Sequence, residues 1–277
     1  MENIWNKLPA FIKAILIGAL LFYPAITIIQ FLLFANLRNT SSLPWSLLLI
    51  LPMLWLYWSF CSGAEKPFGY SQTRKDLSMS SLQARGNAGW ILLSILGIIV
   101  FTYASISVGY AFVDEDTDQL EMLEFFFTAP IQTAIPLLFA LSLTAGIIEE
   151  TVFRGYVQTI LERNYGVVLS FGVTAIIFAL MHFLPPILIL PYTLVSLAFS
   201  YVAYKTRSIV PGVIAHFCFD FIAITLVYFN PYMAKKAFFE EGLIVNVVLI
   251  FLSMVMIGYS QYKVMPTELI SESSIKT

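Results

Sequence analysis

Eight stretches of about 20 residues run almost without charge, and this feature limits the fold more than any other. They fall at roughly 14–35, 43–60, 89–112, 130–158, 166–184, 187–204, 208–229 and 242–262. Hydrophobic residue types make up 59% of the chain and charged ones 12%, whereas a water-soluble domain carries about a quarter charged residues. One core cannot hide so much apolar surface, so lipid must cover it. In hydrocarbon only helices and closed barrels satisfy their own backbone, and these runs are too long and continuous for barrel strands. The expected class is all-α, a polytopic membrane helix bundle of about eight transmembrane helices. It would form a single transmembrane domain over 1–265, with a flexible tail rich in Ser and Thr at 266–277.

The first run is preceded by Lys7 and Lys13 and extends from Ala14 to Ala35. It is longer than the apolar region of a signal peptide and lacks a small-residue cleavage site, so it reads as a retained first helix. An even number of crossings puts both termini on one face. If that face is cytoplasmic, Lys7, Lys13, Lys66, Arg74, Lys75, Arg85, Arg154, Arg163, Lys205, Arg207, Lys263 and Lys276 lie inside, and only Arg38, Lys235 and Lys236 lie outside. This bias follows the positive-inside rule. The acidic loop at 113–124 then falls outside, and the polar loop at 61–88 lies along the inner surface. The net charge of -2, with no basic patch interleaved with aromatics, gives nucleic-acid binding no support. The two cysteines, Cys61 and Cys218, are far apart and form neither a metal-type spacing nor a disulfide framework.

Charge inside a membrane span is costly and needs a reason. The fourth run carries Glu149, Glu150 and Arg154 at its inner half. Glu150 and Arg154 are four residues apart, with the acid first, which favours an ion pair on one helix face. Glu149 is turned about 100° away from Glu150 on an α-helix and is left without that partner. An unpaired carboxylate of this kind suits general-base work. The only two histidines both fall in apolar runs. His182 closes Phe178-Ala-Leu-Met-His182, and His216 opens His216-Phe-Cys-Phe-Asp220. Taken singly, such residues are often structural: an interhelical hydrogen bond for a histidine, an ion pair for Glu150 and Arg154, a neutralising partner for Asp220. Together they point to a polar site in the bundle interior. The residues alone leave open whether that site hydrolyses or translocates protons.

In order and spacing, Glu149-Glu150-Thr-Val-Phe-Arg154, Phe178-Ala-Leu-Met-His182 and His216-Phe-Cys-Phe-Asp220 resemble the EExxxR, FxxxH and HxxxN/D motifs of the CPBP family. This is the CAAX-protease and bacteriocin-processing (Abi) group of intramembrane proteases. The resemblance covers about 130–230. It implies hydrolysis of a peptide or protein substrate at the membrane, with Glu149 activating water and His182 assisting. Glu150 and Arg154 would hold the motif helix. His216 and Asp220 would stabilise the oxyanion, or join His182 in a site for zinc or another divalent metal. A metal-free mechanism is the other branch. Asp220 stands where Asn is frequent; an ionised Asp cannot donate to an oxyanion, so it suits orienting His216 or binding metal. The resemblance further implies a bacterial plasma-membrane protein surrounded by lipid, acting in peptide maturation, bacteriocin resistance or cleavage of prenylated tails. The alternatives are a proton-coupled transporter, against which the lack of an internal repeat counts, and a non-catalytic immunity or regulatory membrane protein. One tension is depth: on straight helices Glu149 lies toward the inner side and His182 near the outer end of its span.

Overall fold

The computed structural model describes residues 5, 7–38, 43–81, 88–112, 126, 128–230 and 242–264. The acidic loop expected at 113–124 and the tail expected at 266–277 lie outside the described residues. Among those described, nine helices follow in order. They are α1 (Ala10–Arg38), α2 (Leu47–Cys61), α3 (Gln72–Ser78), α4 (Ala88–Tyr110), α5 (Ile131–Tyr165), α6 (Val167–Leu180), α7 (Pro186–Thr206), α8 (Val210–Phe229) and α9 (Leu243–Lys263). Six of them (α1, α4, α5, α7, α8 and α9) are long and apolar enough to cross a membrane, and α2 and α6 are shorter apolar helices. The chain is an all-α membrane helix bundle, and each of the eight apolar runs has become one helix.

The largest departure from the sequence reading is in α5. Its apolar pattern stops near residue 158, yet the helix continues to Tyr165. Polar contacts carry the extension where lipid burial cannot. Glu162 Oε1 accepts from Arg207 Nη1 at 2.7 Å, Arg163 Nη2 donates to the Asp76 carbonyl at 3.2 Å, and Asn164 Nδ2 donates to the Ile160 carbonyl at 2.8 Å. The helix ends at Gly166, whose φ of +83° is the left-handed backbone that glycine adopts without strain. From there α6 turns back. Glu149 lies 17 residues before Gly166 and His182 lies 16 after it. The two therefore reach similar heights above one turn, which removes the apparent mismatch of depth.

Within α5, residues Glu150–Val157 form a π-helix, and all eight of its residues are buried. Such widened turns are rare overall and are frequent at functional sites. The short helix α3 sits against this segment. Ser71 caps it, its Oγ accepting from the Arg74 N–H at 3.3 Å. A Cβ on Gly155 would lie 3.1 Å from the Ser78 carbonyl oxygen, so the glycine is what lets α3 approach.

Two apolar clusters fill the bundle. One is built from α1, α2, α5 and α6, including Leu33, Leu54, Ile148, Phe153 and Phe178. The other is built from α4, α7, α8 and α9, including Ile98, Phe199, Ala215 and Ile257. The π-helical segment faces both, since Phe178 of the first and Phe199 of the second both pack on Arg154.

Candidate active site

Arg154 is fully buried, which demands that its charge be met from several directions. Nη1 donates to Glu150 Oε1 at 2.8 Å and Nη2 donates to Ser196 Oγ at 3.0 Å. The rings of Phe178 and Phe199 stand 4.3 and 5.0 Å from the guanidinium carbon, within cation–π range. The expected Glu150–Arg154 pair is therefore present, and it is locked between two other helices. Gln158, one turn further on, donates Nε2–H to the Ser200 carbonyl at 3.1 Å. These bonds stitch the motif helix to α7.

Glu150 has a second partner. His216 Nδ1–H donates to Glu150 Oε1 at 2.9 Å. The close approach depends on Gly212, where a Cβ would lie 2.9 Å from Glu150 Oε2. Gly146 acts in the same way about a turn before Glu149, because a Cβ there would lie 2.9 Å from the Val213 carbonyl oxygen. The two glycines draw α5 and α8 together at the height of the acids.

His182 is fixed differently. Its Nδ1–H donates to the Phe178 carbonyl at 2.7 Å, four residues earlier. A carbonyl or an ionised carboxylate can only accept, so each imidazole holds its Nδ1 proton and turns Nε2 toward the interior. There both meet Glu149. Its Oε2 is 3.7 Å from His182 Nε2 and 3.9 Å from His216 Nε2. That oxygen is buried and has no hydrogen-bond partner. Asp220 Oδ2 is 3.5 Å from His216 Nε2.

All six residues singled out from the sequence, Glu149, Glu150, Arg154, His182, His216 and Asp220, thus gather in one place. Two details differ from the expectation. The hydrogen bond that fixes His216 is accepted by Glu150, while Asp220 stands at ion-pair distance. The two adjacent glutamates, expected to face separate surfaces, approach opposite ring nitrogens of the same imidazole. The sequence reading missed Tyr192, Ser196 and Phe199 of α7. The Tyr192 ring centroid is 5.1 Å from that of His182, and the Phe199 centroid is 5.6 Å from that of His216. Their spacing of four and then three residues is the signal that could have grouped them on one helix face.

Residues 131–222 match the family model described as type II CAAX prenyl endopeptidase Rce1-like. This segment is similar to the CAAX-protease family. The match starts with α5, ends within α8 and contains all six residues above. No curated protein and no solved structure matches the chain. The family so described is one of prenyl endopeptidases, hydrolases that act on a peptide or protein.

The donor types in this segment are ones that a divalent cation takes, namely two imidazole Nε2 atoms and two carboxylates. Their Nδ1 protons are held as those of metal-bound histidines usually are. Their positions are another matter. Among the described residues, no group of three or more His, Cys, Asp or Glu side chains is arranged to hold a metal ion. Among the described residues, the chemistry of the donors fits a metal and their arrangement does not.

Proposed function

We propose that this protein is an intramembrane endopeptidase that cleaves a membrane-associated substrate, such as a prenylated CAAX tail or a leader peptide, with a water activated by Glu149 and His182. The observation that carries this reading is the buried, unpartnered Glu149 Oε2, 3.7 Å from His182 Nε2. That separation is too long for a direct hydrogen bond. It allows one water to bond both atoms at once.

Glu149 takes a proton from this water while His182 Nε2 holds it by its other hydrogen. The oxygen forms a bond to the scissile carbonyl carbon, and the carbonyl π electrons move onto its oxygen. Collapse of the tetrahedral intermediate breaks the C–N bond, and the departing amine receives the proton that Glu149 took. Glu150, Arg154 and Ser196 do not touch the substrate in this scheme. They fix His216 and the motif helix so that the Glu149 carboxylate stays aimed at the water.

The test is cleavage of an S-farnesylated CAAX peptide and of randomised fluorogenic peptides by protein reconstituted in liposomes. Removing a general base typically costs 10²–10⁴ in rate. Glu149→Gln and His182→Ala should each lose about that much while still inserting and folding. Wild-type rates from both variants would end the proposal.

A further inference from the structure

Asp220 leaves a gap in the chemistry above. The intermediate places negative charge on the former carbonyl oxygen, and a hydrogen-bond donor aimed there is commonly the largest single source of rate enhancement. An ionised aspartate cannot donate. It also stands beside His216, 3.5 Å from Nε2, and adds negative charge to that side of the site. That leaves His216 as the one donor of its pair, so a second donor must come from elsewhere.

Helix α7 supplies a candidate. Tyr192, Ser196 and Phe199 share one face of it, and the latter two already touch the site: Ser196 bonds Arg154, and Phe199 packs on Arg154 and on the His216 ring. Tyr192 continues that face one turn toward the helix N-terminus. Its ring lies 5.1 Å from that of His182, tilted by 56°. Its phenol is within electrostatic reach of both Glu149 and Asp220. The side chain is half-buried.

We infer that Tyr192 is a catalytic residue whose phenol O–H donates a hydrogen bond to the oxyanion of the tetrahedral intermediate, supplying the donor that Asp220 cannot. The inference rests on the endopeptidase reading. No proton is transferred in this step: the O–H remains on Tyr192, the bond shortens as charge builds on the substrate oxygen, and it relaxes when the carbonyl re-forms. A donor that matters only in the transition state acts on kcat and leaves substrate binding nearly unchanged.

The test is Tyr192→Phe, which removes one hydroxyl and keeps the ring. It is assayed in liposomes on the S-farnesylated CAAX peptide, beside wild type and Glu149→Gln. The expected result is a fall in kcat of about a hundredfold, with KM within about threefold and thermal stability unchanged. A phosphinate analogue of the same peptide, which carries a tetrahedral anion at the scissile position, should lose about the same factor in affinity. A purely structural tyrosine would not shift the phosphinate selectively. A kcat within about threefold of wild type overturns the inference, and so does a loss that appears in KM or accompanies a loss of thermal stability. If wild type does not cleave at all, the endopeptidase reading has failed. If wild type cleaves and Tyr192→Phe cleaves equally well, only the role of Tyr192 has failed.

Discussion

The Arg154 guanidinium has a carboxylate on one terminal nitrogen, a serine hydroxyl on the other and an aromatic ring on each side. Such a site tolerates no half measures. Removing one member of a buried ion pair leaves an uncompensated charge and typically costs about 3–5 kcal/mol, whereas removing both can be nearly neutral. Arg154→Met should therefore destabilise the protein by about that amount, because it strands the Glu150 carboxylate with His216 alone. The double variant Glu150→Gln with Arg154→Met should recover most of the lost stability but little activity, because His216 then loses its charged acceptor. Unfolding in mixed micelles with rising denaturant fraction measures the first effect, and peptide cleavage measures the second. Equal destabilisation by the single and double variants would show that packing on Phe178 and Phe199, rather than charge, is what Arg154 contributes. Glu149 is the contrast within the same dipeptide: Glu150 Oε1 holds both Arg154 and His216, whereas the buried Glu149 Oε2 has no hydrogen-bond partner.

At the scale of elements, the sequence exposed most of the bundle and the acids and histidines of the site. Long apolar runs can do nothing in lipid except form helices, and buried titratable groups are rare enough in such runs to stand out. Less was legible where tertiary contacts decide. The extension of α5 to Tyr165 depends on Glu162 meeting Arg207, 45 residues away, and on Arg163 meeting the Asp76 backbone. The π-helix over Glu150–Val157 has no composition of its own to mark it, and α1, α3, α6 and α7 pack around it. Ser196 and Tyr192 look like ordinary polar residues of a membrane helix until the partner helices are placed. Gly146 shows how an element contact sets the site. Its missing side chain lets the Val213 carbonyl of α8 come close, and α8 carries His216 and Asp220. Gly146→Ala would force the two backbones apart, because a Cβ at 2.9 Å from a carbonyl oxygen has no flexible neighbour to displace. Overpacking of this kind costs about 1–3 kcal/mol. The separation also widens the gap between Glu149 and His216, so cleavage should fall at least tenfold although no reacting group is changed; a misplacement of about 1 Å can cost a hundredfold. Retention of full activity by Gly146→Ala would show that this contact does not set the spacing of the site.

For the whole molecule, the unequal lengths of α6 and α7 govern how water reaches the site. With 14 residues, α6 rises about 21 Å, while the 21 residues of α7 rise about 31 Å, the thickness of a bilayer core. On these lengths, the turn that joins them, with His182 at its start and the exposed Phe183 after it, is expected to lie below the far membrane surface. The opposite end of the bundle carries Arg163 and Arg207, joined there to Asp76 and Glu162. Non-helical backbone at membrane depth is tolerated only where protein covers it or where it lines a water-filled cavity. Phe183 is 85% exposed, which points to the second case. In a background where Cys61 and Cys218 are replaced by serine, Phe183→Cys should therefore react with a thiol reagent that cannot cross the bilayer. It should do so from the face opposite to that which labels Lys205→Cys, in the last turn of α7. Labelling of both positions from one face would mean that α6 and α7 form a re-entrant hairpin, and the count of eight crossings would fall. No labelling of Phe183→Cys from either face would leave Glu149 and His182 without a route for the water that peptide hydrolysis consumes.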